Sequence, residues 1–121
     1  MNRSYRLKIE KLISDNTVTM ELLLICLAKL NPVIADLAYK EKRYAHCNTI
    51  NYGSGNQEYI DKRLHYTEIR KPILDVLLRD YHMKFDDIKL KTAEISDIKI
   101  PTMKVCEQVS NMISEGMYMC M

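Results

Sequence analysis

A chain of 121 residues that is 47% hydrophobic is long enough for one domain, too short for two and too apolar for a disordered tail. Only three Gly and three Pro interrupt it, which favours long regular elements. The net charge of +2 is uneven: residues 1–71 carry twelve Lys/Arg against eight Asp/Glu, residues 72–121 six against eight, an asymmetry that suits an anionic partner or head-to-tail self-association.

In chain order, residues 4–13 have the spacing of a short helix, with Leu7, Ile9, Leu12 and Ile13 apolar. Its charges are spread through it, so no signal-peptide core is present in this stretch. Ser14-Asp15-Asn16 is a break, and Asn16 or Thr17 is placed to cap a helix over 17–30. That helix is apolar nearly all round and should be the most buried element. Its longest apolar run, Leu22 to Leu30, is too short to span a bilayer. Pro32 interrupts the pattern, either in the first turn of a new helix over 33–49 or as a kink, and the stripe continues through Leu30, Ile34, Leu37, Glu41 and Tyr44. Residues 52–57 read as a turn around Gly53 and Gly55. Helices over 57–70 and 72–82 follow, with Thr67 placed to cap the second and Pro72 in its first turns. From residue 86 to 115 a long amphipathic helix is expected, kinked or restarted at Pro101. Its seam of Ile95, Ile98, Thr102, Val105, Val109 and Met112 has coiled-coil spacing, and Gly116 closes it. The expected fold is all-α, a single helical domain over residues 1–121.

The stretch from Lys40 to Lys71 holds seven Lys/Arg against four acids and four of the eight tyrosines. Cations neutralise phosphates and aromatic rings stack on unpaired bases, so this composition suits a single-stranded nucleic acid. A solvated helical hairpin with ordinary ion pairs is the other reading, and composition alone weighs toward it. For the first, the candidate phosphate contacts are Lys40, Lys42, Arg43, Lys62 and Arg63, and the candidate stacking rings are Tyr44, Tyr59 and Tyr66. The candidate oligomer interface is Ile95, Ile98, Val105, Val109 and Met112, supported by the apolar tail after Gly116. Cys26, Cys47, Cys106 and Cys120 are too widely spaced for a metal knuckle and read as free thiols in a reducing compartment. His46, Cys47, His65 and His82 lack zinc-site spacing, so no metal and no cofactor are expected. No phosphate-cradle, zincin or nucleophile-elbow motif occurs, and no enzyme is expected.

With these residues in view, the chain resembles the UvsY family of phage recombination mediator proteins over residues 30–115. Lys42-Arg43-Tyr44 followed by Tyr52-Gly53-Ser54-Gly55 is similar to that family's basic helix and tyrosine-plus-glycine turn. Leu74 to Asp80, the stretch from Ile88 to Val105, and Cys106 to Ile113 are similar, in the same order, to its later segments. The place of the family's basic residue near the end is taken here by Ser114-Glu115-Gly116-Met117-Tyr118, which withdraws a DNA contact there. The resemblance implies a homo-oligomer that binds single-stranded DNA, contacts a RecA-like recombinase and a single-strand binding protein, and helps load the recombinase. It also implies residence in a bacterial host's cytoplasm. A helical protein–protein interaction module, a phage or bacterial adaptor or inhibitor using its Met-rich C-terminal segment, is the alternative.

Overall fold

A computed structural model describes residues 1–47 and 54–121, with side chains over 1–43 and 56–121. The chain is predominantly helical. α1 (Arg3–Ser14) starts where the Asn2 side chain accepts a hydrogen bond from the Tyr5 N–H at 2.9 Å. Two residues past its end the chain turns at Asn16, whose φ of 52° is a left-handed conformation that Asn tolerates. Thr17–Val18 then forms a two-residue strand, β1, and both residues are buried. The cap of the next helix is neither Asn16 nor Thr17 but Thr19, whose hydroxyl oxygen accepts from the Leu22 N–H at 3.0 Å.

α2 (Met20–Cys47) and α3 (Ser54–Arg79) are the two long elements, and each runs through its proline: neither Pro32 nor Pro72 starts a new helix. Pro32 lies inside α2 and Pro72 inside α3. Thr67 caps nothing; its hydroxyl donates to the Arg63 carbonyl at 2.7 Å within α3. Because α2 is continuous, Met20–Arg43 is long and apolar enough to cross a membrane by length and composition, although 56% of that window is buried inside the fold. Leu22 to Leu27, Leu30 and Ile34 of α2 form the centre of the core. Ile73, Val76 and Leu77 of α3 pack against them, as does Ile9 of α1.

The expected long C-terminal helix is three pieces: α4 (Phe85–Ala93), a 3₁₀ turn over Asp97–Lys99, and α5 (Met103–Ser114). Pro101 is buried just ahead of Thr102, whose side chain caps α5, so α5 restarts rather than kinks. Cys106 of α5 donates its thiol to the Cys26 carbonyl at 3.7 Å, and that same neighbour, together with burial, holds the Cys26 thiol above its usual pKa. A second strand, β2 (Met119–Cys120), runs parallel to β1, with Met119 opposite Thr17 and Cys120 opposite Val18. The Tyr81 hydroxyl lies 3.0 Å from the Val18 carbonyl of β1 and 2.9 Å from the carbonyl of Met121, just past β2, so its one proton serves the two in turn.

Candidate functional site

α2 and α3 form an antiparallel hairpin whose lower half is core and whose upper half projects. The last buried residue of α2 among those described is Leu37, and the first buried residue of α3 is Ile69. Beyond them the hairpin runs on as an arm with no buried residue among those described, although Tyr66 still packs against the core cluster and His65 lies 3.7 Å from Glu107 of α5. The change follows from the residues at the facing positions. Leu30, Ile34 and Leu37 are apolar, but the next turn of the same stripe brings Glu41 inward. Glu41 meets Arg63 of α3 in a two-pronged pair, with Arg63 Nε at 2.6 Å and its terminal nitrogen at 3.4 Å. The pair is about three-quarters shielded, at 30% and 24% exposure, so it clamps the arm where apolar packing stops.

The expected phosphate contacts do gather on this arm, but three of the five have acids of their own. Lys40 is paired with Asp36 at 3.0 Å, Lys62 with Glu58 at 3.0 Å, and Arg63 with Glu41. In each case the hydrogen bond to the acid raises the cation's pKa. Lys42 and Arg43 are exposed, with no acid among the described residues within ion-pair distance. Of the expected stacking rings, Tyr59 is half-buried under the Lys40 ammonium, 5.9 Å from its centroid. Tyr66 packs against the core cluster, with its ring tilted 49° to that of His65. The side chains of Tyr44, His46 and Cys47, and the Tyr52–Gly53 turn, lie outside the described residues, while Ser54 already opens α3.

The expected oligomer seam is not one surface. Val109 and Met112 are buried in the chain's own core, and Ile95 and Val105 pack against that core. Ile98, 62% exposed, sits on the 3₁₀ turn. The sequence reading overlooked Tyr39 and Leu64, which are 61% and 50% exposed on the arm. It also overlooked Asp36 as the partner of Lys40, although the i,i+4 spacing was there to be read. Among the described residues no group of His, Cys, Asp and Glu is arranged to hold a metal ion. A depression of about 930 Å³ lies between α1 and α5 and is lined by residues including Arg6, Ile13, Lys29 and Val105, with none of the expected nucleic-acid contacts.

No protein-family model, curated protein or solved structure matches the chain.

Proposed function

We propose that this chain is a non-catalytic helical binding module that works through the α2–α3 arm, with a protein as its partner. The arm carries the reading: two helices extend past the core with no buried residue of their own among those described. Its charge favours a protein over a nucleic acid. Residues 38–68 hold five Lys/Arg and four Asp/Glu, and three of those cations are already paired with acids within the chain.

One observation favours a second reading, a mediator that holds single-stranded DNA for a RecA-like recombinase. Lys42 and Arg43 lie toward the far end of the arm without acidic partners among the described residues. Two phosphates neutralised would give a log–log salt slope of about −1.4 for a single strand. Fluorescence anisotropy of a labelled oligothymidylate decides between them. The protein-binding reading expects no binding at about 50 mM salt, where the phosphate term is strong. Binding with that slope, lost on Lys42→Ala with Arg43→Ala, would replace it with the mediator reading.

A further inference from the structure

Cys26 of α2 and Cys106 of α5 are 80 residues apart in sequence and meet in the core. Both are free thiols, and neither has any solvent exposure. The Cys106 thiol donates to the Cys26 carbonyl at 3.7 Å. It also acts on the Cys26 thiol more strongly than burial does, so the two side chains stand next to each other across the α2–α5 contact. A buried cysteine packs as a small hydrophobe, and either residue alone needs no other account. Two of them in contact from separate helices can do something more, which is to form a bond with each other.

In the closed fold they do not react. The nucleophile is the thiolate, and no cation offsets the neighbour and the burial that hold Cys26 protonated. Reaction follows a local opening in which α5 lifts from α2, baring both sulfurs together, and reclosing returns them to contact.

We propose that Cys26 and Cys106 are an oxidisable pair, joined on reaction with a low-molecular-weight disulfide into a reversible cross-link that latches α5 to α2. One cysteine thiolate, its proton lost to water, attacks a sulfur of the small disulfide and expels one small thiolate. The second cysteine thiolate attacks the protein-side sulfur of that mixed disulfide and expels the other. Two S–H bonds are broken and one S–S bond is made. The protons end on the two small thiols, and two electrons pass to the small disulfide. The bond closes a loop that contains the whole arm, and long loops restrict the unfolded chain most. Glu107, next to Cys106, faces His65 at 3.7 Å, so the latch also fixes the footing of the arm, whichever partner the arm takes.

The test uses the full chain carrying Cys47→Ser and Cys120→Ser, so that only these two thiols remain. It is incubated with oxidised glutathione, without denaturant, at about pH 8.5, near the ordinary thiol pKa. The product should be two hydrogens lighter, and digestion without reductant should leave residues 26 and 106 on one linked peptide. The same linked peptide should come from the parent chain, and dithiothreitol should reverse the change. At a fixed urea concentration within the transition, the cross-link should raise the folded-to-unfolded ratio roughly tenfold or more. With Cys106→Ala the urea midpoint should no longer respond to the oxidant. A chain that stays reduced or gains only bound glutathione overturns the proposal, as does a cross-link that lowers the midpoint.

Discussion

Tyr81 is the residue on which the most distant parts of the chain converge. Its hydroxyl reaches the Val18 carbonyl of β1 and the Met121 carbonyl beyond β2, and Tyr81→Phe should cost about 1 kcal/mol in urea unfolding, the net worth of one such bond. Burial first, and Cys120 beside it second, push its pKa from 10.0 up to about 12. The fold therefore favours the neutral phenol. Its contribution is complete below pH 10 and is lost as the pH rises toward 12, so the parent should lose stability across that window more steeply than Tyr81→Phe.

Among the elements, the two proline-containing helices test the balance between local propensity and packing. A proline inside a helix removes one hydrogen bond and crowds the carbonyl four residues back, at about 3 kcal/mol. Pro32 is exposed and makes no compensating contact in the core cluster. Pro32→Ala should raise the midpoint of thermal unfolding, with a gain of about 1–3 kcal/mol. A fall would mean that the proline sets a bend on which the arm depends. The same balance decided what could be read from the sequence. α1 and the buried run Leu22–Leu30 were legible because apolar spacing and cap agree there. The breaks at Pro32 and Pro72 were misplaced because packing of Leu30, Ile34 and Ile73 on either side outweighs the local penalty. Heptad spacing after residue 86 was present but does not encode the turn at Asp97–Lys99. The two-residue ladder of β1 and β2 is too short to show any alternation. On the arm, the pairs Asp36–Lys40 and Glu58–Lys62 are written in i,i+4 spacing, whereas Glu41–Arg63 joins separate helices and needed the fold to reveal it.

For the molecule as a whole, the question is which surfaces are committed to the fold and which are free for a second chain. Val109 is fully buried, so Val109→Asp places an uncompensated charge in the core and should abolish cooperative unfolding. Val105, four residues earlier, is only half-buried and lines the open depression between α1 and α5. Val105→Asp should leave both the circular dichroism and the sedimenting mass as in the parent. A fall in the sedimenting mass would instead place a self-contact on α5.

The ladder between β1 and β2 also bears on how the chain is made. Its strands are about 100 residues apart, and Val18 is wholly buried in the finished protein. At synthesis rates of roughly 5–20 residues per second, the second strand leaves the ribosome about 5–20 s after the first. For that interval a nascent chain whose helices have already collapsed carries an unpaired edge at Thr17–Val18, open to any extended segment nearby.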